Sequence, residues 1–252
     1  MNNFLKAENI KVIYQTPKAE TLAVENVSFK VEKGQFVSIV GPSGCGKSTV
    51  LSCMAGLYRQ QAGSILLEGE DISKKRDKIG YMLQSDNLMP WRSVWRNVLV
   101  GLEIQKKLTE SDLAYARTLL QRYDLWQFRD SFPAQLSGGM RQRVALIRTL
   151  ALKPQVLLLD EAFSALDYQT RVAVSCDVFE ILRRENKTIV MVTHDIPEAV
   201  SMSDKVIIFS HRPAVVQKEV EINLGSRDSN PIERRGHPDF QHYFNIIWKE
   251  LT

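Results

Sequence analysis

Short apolar runs alternate along this chain with stretches whose apolar residues recur every three to four positions, a pattern that predicts strands and helices in turn. FVSIVG (36–41) reads as a buried strand entering a glycine-rich loop, and STVLSCMAGL (48–57) as the helix that follows. SILLEGEDI (64–72), KIGYMLQ (78–84) and KVIIF (205–209) read as further strands. VLLLDE (156–161) and TIVMVTH (188–194) are the clearest, each a buried run stopping abruptly in polar residues. Residues 85–151 turn helical; Thr109 followed by Asp112 opens one helix with a capping signal. Val174, Val178, Ile181 and Leu182 recur at helical spacing further on. In the tail, Phe240, Tyr243, Phe244, Ile247 and Leu251 share one helical face, whose plainest use is packing on the main body. Residues 225–239 are rich in turn formers and charge, predicting an exposed connector with Arg234 and Arg235 in a solvated turn. The whole reads as an α/β fold with a largely parallel sheet.

Composition narrows the function little. The chain has 252 residues, 44% hydrophobic and 25% charged, enough for one large domain or two lobes. A formal charge of +4, with no basic stripe interleaved with aromatics, gives no argument for nucleic acid. Cys45, Cys53 and Cys176 form no CxxC or metal spacing, as expected in a reduced compartment. The polar start does not read as a signal peptide, and no run of about 18 apolar residues exists to span a bilayer. Work at a membrane would need a partner that crosses it.

The candidate chemistry begins at GPSGCGKST, residues Gly41, Pro42, Ser43, Gly44, Cys45, Gly46, Lys47, Ser48 and Thr49. Gly-x-x-x-x-Gly-Lys-Ser after a strand and before a helix is the phosphate-binding P-loop. Glycines let backbone N–H groups converge on an anion, and the helix start adds its positive end. Lys47 reaches β- and γ-phosphates, and the Ser48 hydroxyl suits Mg²⁺. GTPases need Asn-Lys-x-Asp to read guanine; ENKT (185–188) lacks the aspartate.

Ligands of an open parallel sheet sit beyond the carboxyl ends of its strands. There the chain places Gln84, Asp160, Glu161 and His194. Asp160 suits Mg²⁺ directly or through water. Glu161 is placed to orient and deprotonate a water attacking the γ-phosphate, and Gln84 and His194 to sense the γ-phosphate or that water. Taken singly, each has a bland reading as a solvated strand end; the joint placement favours function. LSGGMRQRVALIRTLAL (136–152) adds a second hydroxylated, glycine-bearing helix start at Ser137, Gly138 and Gly139, and the double glycine exceeds what an ordinary cap needs.

With these motifs in order, residues 9–224 resemble the ATP-binding cassette (ABC) ATPases. The resemblance implies a P-loop NTPase (RecA-like) core with an N-terminal antiparallel β subdomain and an inserted helical subdomain. It implies ATP and Mg²⁺ as cofactors, Tyr14 as the adenine-stacking aromatic, and Gln84 as the Q-loop residue, also near the metal with Ser48 and Asp160. LSGGM is then the signature, SALD (164–167) the D-loop, Glu161 the catalytic carboxylate and His194 the switch histidine. It further implies a head-to-tail dimer of two copies, ATP on one P-loop being capped by Ser137, Gly138 and Gly139 of the other, with Asp167 tying the sites together. Residues 1–252 form a single cassette on this reading: about 1–84 and 152–224 the catalytic core with its β subdomain, about 85–151 the helical subdomain, and 225–252 a connector and helix.

Three positions depart from the common pattern. Met140 replaces the usual Gln and is itself frequent in one importer branch. Thr149 stands where Ala is common, and Ala162 replaces Pro after Glu161, which is expected to loosen that turn. MPW (89–91), SGGMRQRVAL, HRPAVV (211–216) and the tail resemble the nitrate/sulfonate/taurine importer branch. That implies an ATPase at the cytoplasmic face of the membrane, peripheral, working with integral permease subunits and indirectly with an external solute-binding protein, and with no nucleic acid. Met89, Trp91 and Trp95 either core the helical lobe or line a cleft for a permease helix. The alternative, a soluble ABC ATPase acting on nucleic acid or ribosomes, usually carries two cassettes or a long coiled-coil insertion, and neither is present here.

Overall fold

A computed structural model describes residues 3–16, 19–164, 166–227 and 229–252. Among these, ten strands form one sheet in the order β5-β4-β1-β2-β10-β9-β3-β8-β7-β6. The strands are β1 (Asn3–Thr16), β2 (Ala19–Glu32), β3 (Phe36–Val40), β4 (Ala62–Leu67), β5 (Glu70–Asp71), β6 (Ile79–Met82), β7 (Val156–Asp160), β8 (Thr188–Val192), β9 (Lys205–Phe209) and β10 (Ala214–Glu221). The expected parallel core is β9-β3-β8-β7-β6. The full sheet is mixed: β1 pairs antiparallel with β2 and β4, and β10 runs antiparallel to β9.

Both faces of the parallel strands are covered, so they read as unbroken apolar runs. Leu157 and Leu159 of β7 pack on the helical side, while Val156 and Leu158 face the β-rich side. The helical side carries α2 (Val94–Ile104), α3 (Glu110–Arg122), α4 (Gly138–Leu150) and α5 (Tyr168–Arg184). Leu102, Leu119, Ile147 and Phe179 share its core. On the other face α1 (Lys47–Met54) buries Val50, Leu51 and Met54 against Phe29, Val31 and Ile65 of the antiparallel strands.

Local detail differs from expectation at three places. Residues 64–72 are a hairpin, not one strand, because Glu68 (φ 53°) and Gly69 (φ 80°) turn the chain. The first helix stops at Met54, where Gly56 (φ 70°) breaks it. Just before that hairpin, a side chain at Gly63 (φ 86°) would lie 2.3 Å from the Glu8 carbonyl, where β1 bulges. The connector is also not simply exposed. It contains α7 (Pro231–Arg235), started by an Asn230–Glu233 capping box. Arg234 is 3% exposed there and donates from Nη2 to the Ser203 carbonyl at 2.6 Å. The signal for this turn of helix was Asn-Pro-x-Glu, outvoted by adjacent charges. After it, α8 (Phe240–Leu251) sets Ile247 against Val206, Ile208 and Val220, with Phe240, Tyr243, Phe244 and Leu251 around it. The remaining helix, α6 (Ile196–Met202), lies between β8 and β9 in the chain.

Candidate functional site

The parallel strands end along one edge, and their loops meet there. β3 leads into residues 41–46 and directly into α1. Gly46 (φ 119°) caps α1 in a left-handed conformation without a side-chain hydrogen bond, so its first N–H groups stay unclaimed by a cap. A Cβ at Gly46 would sit 3.0 Å from the Ala23 carbonyl, and one at Gly41 would sit 2.9 Å from Cys45 Sγ. Burial pushes the Cys45 thiol up, against the opposing pull of Lys47. Lys47 is 5% exposed, and its ammonium folds back over the loop, donating to the Gly41 and Pro42 carbonyls at 2.8 and 2.9 Å.

Asp160 ends β7 across from this loop. Its Oδ1 accepts from Ser48 Oγ at 2.7 Å and its Oδ2 from the Tyr81 hydroxyl at 2.9 Å. The Tyr81 phenol is pushed up to about 12, by burial first and by the neighbouring Asp160 charge second, so it stays a donor at any physiological pH. One residue on, Glu161 adopts φ 46°, an uncommon conformation for a residue with a side chain. Its N–H donates to the Val192 carbonyl at 2.9 Å, and its Oε2 lies 3.1 Å from His194 Nδ1 in a hydrogen bond. The pairing of Asp160 with Val192 across β7 and β8 brings the two side chains to the same level.

The turn after Glu161 is not loosened by Ala162. The Ala162 carbonyl accepts from the buried Gln142 amide at 2.6 Å. Ser164 closes the turn twice on the Glu161 carbonyl, through its N–H at 3.0 Å and its hydroxyl at 2.9 Å. Gln84, beyond β6, donates from Nε2 to that same Ser164 oxygen at 3.0 Å. Thr149 is equally settled, its hydroxyl bonding the Ala145 carbonyl at 3.0 Å, and its methyl leaves no room for a side chain at Gly80.

One cleft gathers Tyr14, Ser43, Gly44, Cys45, Gly46, Lys47, Ser48, Thr49 and Glu161. The Tyr14 hydroxyl meets Thr49 Oγ1 at 3.0 Å, and its ring leans on Tyr58 at 5.1 Å between centroids. Arg212, from the HRPAVV segment, also lines this cleft and was assigned no role from sequence. Tyr81 was missed as well, because its tie to Asp160 depends on strand pairing that no local pattern reveals. Ser48 and Asp160 offer hard oxygen donors 2.7 Å apart, a donor set that fits Mg²⁺, which takes few protein ligands beside phosphates and water. The Gln84 amide nitrogen lies against Ser164.

The signature residues lie outside this cleft. Ser137 caps α4, its hydroxyl accepting from the Met140 N–H at 3.3 Å. A Cβ at Gly139 would stand 2.7 Å from Val174 of α5, and one at Gly138 would stand 3.2 Å from Leu166. The double glycine thus lets α4 approach α5 and the loop before it. Asp167 caps α5 by accepting from the Thr170 N–H at 3.0 Å; the Thr170 hydroxyl and N–H hold its carboxyl below the usual range. Ala165, within the SALD stretch, lies outside the described residues. Of the aromatic trio, Trp95 packs on the helical core, edge-on to Trp126 at 5.5 Å, whereas Trp91 is 73% exposed. The Met89 backbone is held both ways by the buried Asn97 amide.

A glycine-wrapped loop at a parallel strand's end, with a carboxylate at the end of the strand two places along the sheet and a lysine folded on the loop, defines a P-loop nucleoside triphosphatase. The family described as ABC transporter matches residues 24–164. Over 250 residues the chain is 46% identical to the uncharacterized ABC transporter ATP-binding protein YtlC of Bacillus subtilis, covering 99% of this chain and 96% of that one. It is 40% identical to the aliphatic sulfonates import ATP-binding protein SsuB of Bacillus cereus (84% and 83% covered). It is 35% identical to the nitrate import ATP-binding protein NrtD of a Synechocystis strain (96% and 93%). The dimeric, post-hydrolysis ATP-binding cassette MJ0796 bound to ADP and Pi superposes with a TM-score of 0.73 at 30% identity, covering 87% of this chain and 99% of that one. The chain belongs to the ABC transporter ATP-binding family and is an ATP-hydrolysing cassette. No helix among the described residues is long and apolar enough to cross a membrane.

Proposed function

We propose that this chain is the energising subunit of an ABC importer, acting as a head-to-tail dimer on the cytoplasmic face of a separate permease. Its cargo would be a small solute, nitrate-, sulfonate- or taurine-like or a related organic nutrient, delivered by an external binding protein. The relatives named for sulfonate and nitrate import support the branch. The exposed Trp91, beside the Gln84 loop, supports a permease contact there.

The observation that carries the dimer is the separation of motifs: Tyr14, the P-loop and Glu161 share a cleft, while Ser137, Gly138 and Gly139 of the same chain are not part of it. A second copy supplies them. In the assembled site Tyr14 stacks on adenine, backbone N–H groups of residues 43–49 and the Lys47 ammonium hold the phosphates, and Ser137 with the two glycines closes over the γ-phosphate. Ser48 and Asp160, with Gln84 near them, would hold Mg²⁺, which would supply positive charge against the charge developing on the phosphates. Glu161 accepts the proton of the attacking water, worth about 10²–10⁴ in rate. His194, bonded to Glu161, orients it and senses the γ-phosphate, and Asp167 relates one site to the other. Loss of the γ-phosphate removes the bridge and the copies part.

Glu161→Gln tests this. ATP should convert the variant to a stable dimer on size exclusion, with turnover reduced about 10²–10⁴-fold. Normal phosphate release, or a variant that stays monomeric with ATP, overturns the reading.

A further inference from the structure

We propose that Arg171 is a positioning residue that couples the loop leading to Asp167 with His194 and Glu161, so that contact with the second copy sets the catalytic pair. The proposal rests on the dimer reading above and adds to it the route inside one chain. Arg171 lies one turn into α5, its N–H bonded to the Asp167 carbonyl at 2.8 Å. Its guanidinium reaches two catalytic loops at once. Nη2 donates to the Leu166 carbonyl at 2.9 Å and the Ser164 carbonyl at 3.4 Å. Nη1 reaches Asp195 Oδ2 at 3.5 Å.

Each end of that fork continues into the site. Ser164 bonds the Glu161 carbonyl and receives Gln84. Asp195 is the residue after His194 and caps α6 by accepting from the Glu198 N–H at 2.9 Å. His194 returns to Glu161 at 3.1 Å. The path Glu161–Ser164–Arg171–Asp195–His194–Glu161 is therefore a closed ring, and Arg171 is the member that joins the 164–167 loop to the 193–195 loop through a side chain. A lysine has no planar fork and cannot make these contacts together.

The Arg171 Nε is buried without an acceptor, and Oε1 of the buried Glu198 is buried without a donor. The contacts the Arg171 side chain makes are to the two loops that carry Asp167 and His194.

The test separates assembly from chemistry. In Arg171→Lys and Arg171→Ala, fluorescent-nucleotide affinity should stay within about twofold of the parent, because no residue lining the cleft changes. In the Glu161→Gln background both should still dimerise with ATP. On an otherwise native chain kcat should fall at least tenfold at unchanged KM, and Asp195→Asn should add little to Arg171→Lys. If Arg171→Ala does not fold, Arg171→Lys alone decides. A folded Arg171→Lys with native kcat overturns the proposal, as does a loss confined to nucleotide affinity or to melting temperature. Failure of Glu161→Gln to dimerise with Arg171 intact would instead overturn the dimer reading.

Discussion

Two glycine-bearing helix starts lie in this molecule, and they are built in opposite ways. At α1 the cap is Gly46, with no side chain to claim the free N–H groups and a lysine as the first helical residue. At α4 the cap is Ser137, whose hydroxyl already bonds its own helix, and the following Gly139 is closed in by Val174. The first is open to an anion and stands among Glu161, Thr49 and Tyr14. The second is satisfied internally and shares no cleft with them. One chain therefore presents an open phosphate cradle and, separately, a second glycine-bearing helix start that lines no part of that cleft. The contrast teaches that helix-start chemistry alone does not make a site; the surrounding strand ends do.

The largest expected effect tests the first of these starts. Lys47→Ala removes the one ammonium folded onto the loop, and charge-assisted bonds to phosphate are strong. ATP affinity of the isolated chain should fall on the order of 100-fold, about 3 kcal/mol. Titration with a fluorescent nucleotide checks it; an unchanged affinity would mean that the loop does not cradle phosphate.

The catalytic side also carries a buried carboxyl, and the second prediction measures its cost. Glu198 in α6 is 5% exposed, and burial pushes its carboxyl up to about 7, with Thr193 and Arg171 pulling the other way. Its folded pKa thus exceeds the unfolded value near 4.5, so the folded state holds the proton more tightly between those limits. Stability from this group is fully present below about pH 4.5 and declines as pH rises through about 7. Glu198→Gln should remove that decline and be about 3 kcal/mol more stable than the parent at pH 8, the two converging toward pH 4.5. Urea unfolding at both pH values reads it, and parallel curves would show that Glu198 is not held protonated.

The same contrast marks what the sequence could and could not reveal. Asp160, Glu161 and His194 were legible because each stands at or just past the end of an apolar run, where a parallel sheet must place its ligand, and Lys47 because the Gly-x-x-x-x-Gly-Lys-Ser spacing marks it. Their mutual distances were not, since the 3.1 Å approach of His194 to Glu161 follows from the register of β7 on β8. β1 gave no clean alternation because register shifts and the positive φ of Asn9 break its period of two, and β2 alternates cleanly only from Val27 on. Only family resemblance announced an antiparallel subdomain there. Arg234 misled because adjacent arginines look solvated, whereas one of them fills the space beside Ser203 and Asp204. Gly139 was read as surplus to a cap; its reason lies in α5, about 35 residues away in sequence, and no local pattern carries that.

The smallest expected effect is the most discriminating. Ser137→Ala removes the α4 cap and should cost about 1 kcal/mol of stability, read as a modest loss of melting temperature. Because Ser137 is absent from the cleft of its own chain, the monomer's ATP affinity should not change at all. Turnover should fall nonetheless, since the hydroxyl is needed by the other copy's nucleotide. Mixing supplies the sharper form: Ser137→Ala combined with Lys47→Ala chains should leave one intact composite site per mixed dimer, built from the P-loop of the first and the signature of the second. Activity recovered on mixing two nearly inactive variants places the two helix starts of one chain in different sites. A Ser137→Ala chain that loses ATP affinity as a monomer would instead place them in the same one.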